Sequence, residues 1–514
     1  MMAQAQNDIS SPAIPRFFGS WALAALIVVA AIAQQAAGHL NGDDSWFILF
    51  AEKVAGGARA YVDISDPNPP AGFLVYMPAV YLARLFGLDT EFWTVVQTFV
   101  LVFASLALSG AILSRCGLIA REERGVTRNA ALWLLLFSVG FAFAEREHFA
   151  LIAFLPFAAA ALSRAEAQDG KGAGLSTLRL IAGLCGGIVL CFKPYFALPL
   201  GAVVLFACVR RRSLAPLFAP ENLVLAATAI AYGVLVWLRY PDYVWGQAGL
   251  AMEVYAPARY GLAAVLTSTS FVFSAALLIG VAAGLYFLGF EPRAALLGLA
   301  SAGFLATYVI QAKNWFNHAY PGEALGVLAC VALALGRFGA RPEASARFSR
   351  FAVLPALLLA PFLCAVQLNV LRMEEYPGLT AAVTKVLAER AQGAGKPKIA
   401  ALAHQLDVGQ PLTRQLNADW VGRRNALWVD NCVRQILASK TVDDEMRRRL
   451  LEYSAGERRE FAEDMAQGKP DILLVETPQL ATWAARQPEF VGMLDGYTKK
   501  TQVGDIEIFA RNGT

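Results

Sequence analysis

Over roughly its first 370 residues the chain alternates long apolar runs with short polar breaks, and then its character changes. About 20 apolar residues cross a bilayer core as a helix. On that rule about eleven spans are predicted, near 17–38, 91–114, 129–144, 149–163, 179–194, 195–209, 222–239, 263–288, 295–311, 321–336 and 351–371. The stretch AGFLVYMPAVYLARLF, residues 71–86, is also apolar, but it contains Pro78 and Arg84 and its spacing is amphipathic. It predicts a helix lying on the membrane surface rather than across it. Beyond about residue 372, short runs read as strands: KIAALA (398–403), NALWVD (425–430), DILLVE (471–476) and IEIFAR (506–511). Helical patterns lie between them, near 379–392, 431–439 and 443–466. That alternation predicts a small α/β domain. The expected fold is a polytopic α-helical membrane protein, residues 1–372, with a C-terminal soluble α/β domain, residues 373–514. The first outer loop, 39–90, is expected to carry juxtamembrane helices.

Composition agrees. The chain is 57% hydrophobic and only 16% charged, where a soluble domain has about a quarter of its residues charged. It contains no phosphate-binding glycine loop, no dinucleotide fingerprint, no paired CxxC and no nucleic-acid signature. Of the cysteines only Cys432 falls in the polar tail, so no disulfide scaffold is expected there.

Charge orients the spans. With the N-terminus in the cytoplasm, the inner loops hold Arg115, Arg121, Arg124, Arg128, the Arg210–Arg212 triplet, Arg293 and the arginines between 337 and 350. Basic residues there outnumber those of the opposite side by about two to one, as the positive-inside rule requires. The tail then lies outside, which in a Gram-negative inner membrane means the periplasm. The first span reads as uncleaved; a signal peptide is the alternative, and both leave residues 39–47 outside.

The unusual polar residues gather on that outer rim. They are His39, Asp43 and Asp44 in GHLNGDDSWF, DISDPNPPAG at 63–72, AEREHF at 144–149, CFKPYF at 191–196 and QAKNWFNHAYPGE at 311–323. Three of the four histidines, His39, His148 and His318, are among them. Ionisable groups at membrane depth are costly, so they point to function. Each also has a plainer reading. One of Asp43 and Asp44 suits the N-cap of a helix starting at Ser45, Lys193 suits snorkelling, and DPNPP suits a rigid turn. Transfer from a lipid-linked donor fits the set. A carboxylate of the rim would deprotonate the acceptor hydroxyl, and the rim's Lys, Arg and His side chains, among them Arg146, His148, Lys193, Lys313 and His318, would neutralise the donor phosphate.

In this order the motifs GDDSWFILFAEKVAGGARAYVD, DPNPP, EREH, KPY and KNWFNHAYP resemble the GT-C glycosyltransferases. More narrowly, they resemble the bacterial branch related to the protein mannosyltransferases and the lipid A aminoarabinose transferase. The resemblance implies inverting sugar transfer from a polyprenyl-phosphate sugar outside the membrane; the acceptor, a periplasmic glycan, lipid or protein, and the sugar are not carried over from it. It places the base at Asp43 or Asp44, with Asp43 preferred because Asp44 is the better placed to cap. The second acid falls at Glu145 or Glu147, and the donor-phosphate contacts at Lys193, Lys313 and His318. The tail departs from the tryptophan-rich outer domain of the mannosyltransferases, and the adjacent "DD" departs from a spaced acidic pattern. No metal is expected to be obligatory, although Asp43, Asp44 and Glu147 offer oxygens for a divalent cation. A transporter or lipid-sugar flippase is the competing class; it predicts ionisable groups near the bilayer midplane. A third reading is an assembly subunit whose tail docks a partner.

Overall fold

The computed structural model describes residues 17–166, 175–338, 376–389 and 395–512. Among the described residues seven helices are long and apolar enough to cross a membrane: Thr90–Arg115, Arg146–Ala165, Pro194–Arg211, Pro220–Arg239, Thr269–Phe287, Pro292–Gln311 and Phe316–Gly336. Trp21–Ala36 and Ser176–Phe192 are shorter apolar helices. The chain is a multi-pass membrane protein. Ten of the expected spans fall on helical segments. The eleventh, 351–371, lies outside the described residues, as does the expected domain boundary near 372.

Three expected spans differ in detail, each for a local reason. The stretch 129–144 is not one helix. Arg121–Leu132 is α-helical, Trp133–Phe137 widens into a π-turn, and Gly140–Ala142 tightens into a 3₁₀ turn. Tyr320 enters this irregularity, donating to the Leu134 carbonyl and lying 3.0 Å from Ser138 Oγ. Irregular backbone at such depth persists where protein satisfies its polar groups. The stretch 263–288 breaks into Leu262–Leu266 and Thr269–Phe287, with Ser268 Oγ capping the second helix at Phe271 N, 3.2 Å. The boundary between 179–194 and 195–209 falls at Lys193–Pro194. Pro194 cannot continue the helix and holds Lys193 extended, at φ −149° and ψ 131°.

The first loop folds into the helices Gly42–Ala55, Ala71–Leu74 and Met77–Phe86. The last two cover the stretch expected on the membrane surface, and Tyr81, Leu85 and Phe86 are exposed. Arg146–Ala165 is the central helix, buried along nearly its whole length.

The C-terminal part holds a five-stranded sheet: β1 (Lys398–Leu402), β2 (Asp419–Trp420), β3 (Ile472–Val475), β4 (Tyr497–Val503) and β5 (Ile506–Arg511). The order is β2-β1-β3-β5-β4; β1 runs parallel to β2 and β3, whereas β5 is antiparallel to β3 and β4. Side chains alternate between two faces. Ile399, Ala401, Ile472 and Leu474 pack with Leu379 and Val383, and Ala400, Leu402, Leu473 and Val475 pack with Met465 and Leu480. Strand β4 was not legible in the sequence: YTKKTQV is nearly all exposed, and Lys499 and Lys500 blunt this sheet edge. The expected strand 425–430 is wrong. Residues from Trp428 form the helix Trp428–Ser439, because the Glu457 carboxylate accepts from Val429 N (2.9 Å) and Asp430 N (2.7 Å) at its first turn.

This domain is clamped to the first loop. Arg414 grips Glu52 through two bonds of 3.2 and 2.9 Å. Ser65 N donates to Arg423 O at 2.6 Å, and Lys53 Nζ donates to Trp420 O at 3.2 Å. Gly42 makes the closest approach, since a Cβ there would sit 2.3 Å from Asp407 Oδ1 and 2.9 Å from Gln410 O. Gly42→Ala is therefore expected to cost about 1–3 kcal/mol, read as a lower Tm and as faster proteolysis of the C-terminal domain. Adding Asp407→Ala should recover only part of the loss, because the Gln410 carbonyl is backbone.

Candidate functional site

The helix Gly42–Ala55 begins earlier than the sequence suggests. Asn41, not an aspartate, is its N-cap, accepting from Asp44 N at 2.9 Å. Asn caps helices as well as Asp does. Both aspartates are thereby freed from capping and sit in the first turn, where the helix dipole favours them. Asn41 Nδ2 also donates to Phe141 O and to Glu145 Oε1, both at 2.7 Å.

The two aspartates then diverge. Asp44 is buried and meets Tyr76 Oη at 2.7 Å, while Tyr76 Oη lies 2.9 Å from Ala144 O. One phenol proton cannot serve two acceptors. Burial pushes the Asp44 carboxyl well above its usual range, against the Tyr76 hydrogen bond and with help from the Asp43 charge. A neutral Asp44 donating to Tyr76, which donates onward to Ala144 O, satisfies both contacts. Asp43 is 28% exposed, ion-paired to Arg146, and lines a cavity of about 690 Å³.

The motif EREH spreads its charges because successive helical residues point about 100° apart. Glu145 takes Asn41 on one oxygen and Asn317 Nδ2 on the other. Arg146 reaches Asp43 and lies 4.4 Å over the Phe47 ring; its Nη1 is buried and makes no hydrogen bond among the described residues. Glu147 turns away from the cavity to bind Lys193 Nζ, with His318 Nε2 at 3.3 Å. Lys193 also reaches Gln311 Oε1 (3.1 Å) and His318 Nε2 (2.9 Å), which uses all three of its donors. His148 folds back so that its Nδ1 accepts from Ala144 N at 3.0 Å, holding Ala144 at φ 68°.

The cavity therefore gathers some of the expected residues and not others. Asp43, Glu145, Arg146 and Lys313 line it; Asp44, Glu147, His148, Lys193 and His318 do not. Lys193, His148 and His318, expected at the donor phosphate, hold protein partners instead and do not line the cavity. His39 lies at the periphery, 3.4 Å from Glu91. The oxygens named for a divalent cation separate, with Asp43 on Arg146, Asp44 on Tyr76 and Glu147 on Lys193. Among the described residues no cluster of three His, Cys, Asp or Glu side chains is arranged to hold an ion.

Lys313 is buried, donates to Tyr255 O (2.7 Å) and Ala258 O (2.5 Å), and lies 3.9 Å from the Tyr255 ring centre. Burial lowers its pKa to about 8. Asp66, from the DPNPP turn, also lines the cavity and accepts from Trp46 Nε1 (3.0 Å) and Asn68 N (2.9 Å). Its stretch was placed on the outer rim, but Asp66 was given no role of its own because its context reads as a turn, and the turn is indeed there. The opposite wall belongs to the C-terminal domain: His404, Asn425, Trp428, Asn431, Cys432 and Gln435 line it. Sequence alone does not show that this domain reaches the site.

No protein-family model matches the chain, and no curated protein matches it significantly. Two solved structures are similar over nearly their whole length. One is ArnT from Cupriavidus metallidurans bound to undecaprenyl phosphate: TM-score 0.55, 14% identity, 95% of this chain and 97% of that chain covered. The other is ArnT from the same organism in the apo state: TM-score 0.55, 15% identity, with the same coverage. The chain shares the ArnT fold.

The buried Glu147–Lys193–His318 group yields a stability test. Lys193→Met should leave Glu147 an uncompensated buried charge and cost about 3–5 kcal/mol. Thermal unfolding in nanodiscs should show the drop. Glu147→Gln combined with Lys193→Met should restore much of it.

Proposed function

We propose that this chain is a GT-C-type membrane glycosyltransferase that takes a sugar from a polyprenyl-phosphate donor and passes it to an acceptor hydroxyl outside the membrane. One observation carries the reading: Asp43, ion-paired to Arg146, and Lys313 line the same cavity. The fold supports it, since the similar ArnT was crystallised with undecaprenyl phosphate.

In this reading the donor phosphate lies against Lys313 and against Arg146, whose buried Nη1 has no partner among the described residues. The acceptor hydroxyl approaches the anomeric carbon from the face opposite the phosphate. Asp43 removes the hydroxyl proton as the new C–O bond forms. The bond from the anomeric carbon to the phosphate oxygen breaks, and the phosphate leaves with its charge neutralised by the two cations. Displacement from the opposite face inverts the anomeric centre. Arg146 also holds Asp43 in place, and Glu145 orients Asn41 and Asn317 at the cavity edge. The site and the C-terminal domain face the periplasm of a bacterial inner membrane, following the arginine bias of the inner loops.

Asp43→Asn should lower transfer by about 10²–10⁴-fold while undecaprenyl phosphate still binds. Asp44→Asn, which keeps a group able to donate to Tyr76, should cost far less. Equal activity of Asp43→Asn and wild type in a donor-turnover assay would sink the assignment. Movement of the lipid-linked sugar across proteoliposomes without any transfer would favour a flippase.

Lys313 supplies a pH test. A lysine with a lowered pKa is charged below that value and neutral above it. Donor-phosphate affinity should therefore weaken as pH rises through about 8. Lys313→Arg, which stays charged, should flatten the affinity profile across that window.

A further inference from the structure

The cavity has two chemically different walls. Its Lys and Arg side chains, Arg146 and Lys313, are on the membrane side. Among the described residues the C-terminal domain contributes no lysine or arginine to the lining, and one carboxylate, Asp407. Its helix Trp428–Ser439 instead presents Trp428, Asn431, Cys432 and Gln435. The spacing i, i+3, i+4, i+7 is one helical face. Among the described residues, the side chains of Asn425, Asn431 and Gln435 have no hydrogen-bond partner in the protein. The Trp428 indole N–H is buried and likewise without an acceptor. Tyr255 stands edge-on to Trp428, with ring centres 6.1 Å apart.

His404 completes the wall. It lies just past the C-terminal end of β1, and Asn425 follows β2. The region beyond the carboxyl ends of parallel strands is where open α/β sheets place ligands. His404 Nε2 is 3.3 Å from Asp430 Oδ2, and its backbone N donates to Glu476 Oε2 at 2.6 Å. Asp430 is held in turn by Ser454 and by Arg458 Nη1 at 3.0 Å. Both ring and backbone of His404 are thus fixed from behind. Asp430 meets Nε2 and so orients the ring, leaving Nδ1 for a hydroxyl.

We propose that this wall is the acceptor subsite, and that it takes an uncharged sugar ring: a neutral glycan whose hydroxyls pair with Asn425, Asn431, Gln435 and His404 while Trp428, packed edge-on to Tyr255, meets one side of the ring. Amides both donate and accept, as hydroxyls do. Aromatic side chains supply apolar surface with a polar edge. The absence of lysine and arginine from this wall disfavours a phosphorylated or carboxylated acceptor. The word acceptor rests on the transferase reading; the sugar-binding wall does not.

The test uses the full chain in lipid nanodiscs free of glycoside detergent. Saturation-transfer NMR is recorded with the methyl glycosides of glucose, galactose and mannose, and undecaprenyl phosphate binding is measured separately by native mass spectrometry. Wild type should transfer saturation to the ring protons of at least one glycoside. Asn431→Ala with Gln435→Ala should weaken that glycoside about tenfold or more, the loss expected from two hydrogen bonds, with undecaprenyl phosphate binding retained. In unmutated protein the bound glycoside should also protect Cys432 from maleimide in peptide-resolved labelling, a readout that no folding defect confounds. No saturation of any neutral glycoside, or no protection of Cys432, overturns the proposal. Wall-dependent saturation of a serine-containing peptide instead of a glycoside overturns it in favour of a polypeptide acceptor. If undecaprenyl phosphate fails to bind while the glycosides do, the donor reading falls and the sugar-binding wall stands.

Discussion

The structure depends on how the charges at the start of the central helix, Arg146–Ala165, are paired. Three consecutive charged residues enter a region where an unpaired ion costs several kcal/mol. Each therefore recruits a different part of the chain. Glu145 takes Asn41 and Asn317, Arg146 takes Asp43, and Glu147 takes Lys193 with His318 close by. Segments spread along the chain from Asn41 to His318 are held at one rim because these buried groups must be ion-paired or hydrogen-bonded there. The cavity forms where the pairing is incomplete: Asp43 is partly exposed, and Arg146 keeps a buried N–H without a protein partner among the described residues.

The second constraint is the close fit between the first loop and the C-terminal domain. Gly42 leaves no room for a side chain beside Asp407, and Arg414 grips Glu52. These contacts bring an amide-rich wall over the charged floor. The division of labour follows from charge placement. In the proposed function the charged side takes the anionic leaving group and the wall takes neutral hydroxyls. Neither half encloses the cavity alone, because its lining comes from both.

Much of the architecture was legible in the sequence. Apolar run length located the helices, since a span of membrane length has few alternatives. The sheet strands β1, β3 and β5 were legible because they are apolar and bounded by polar residues. The failures have physical causes. NALWVD looks like a strand, but Glu457, nearly thirty residues away, caps it into a helix. Strand β4 is polar because it is an edge. GHLNGDDSWF was misread by a few residues because Asn41 caps the helix in place of an aspartate.

The sequence by itself determined that this is a membrane protein whose ionisable groups collect at span ends, and it identified the residues in play. Solvation dictates that much, since charge is expelled from apolar runs wherever the chain goes. Which charges face the cavity was decided by tertiary structure alone. Asp43 and Asp44 are neighbours of identical chemistry, yet one lines the cavity beside Arg146 and the other is sealed against Tyr76. Lys193 and Lys313 look alike in sequence, yet Glu147 and His318 occupy the first while the second reaches the cavity. Partner choice in a low-dielectric site depends on distances of a few ångströms, and those are set by packing between segments far apart in the chain.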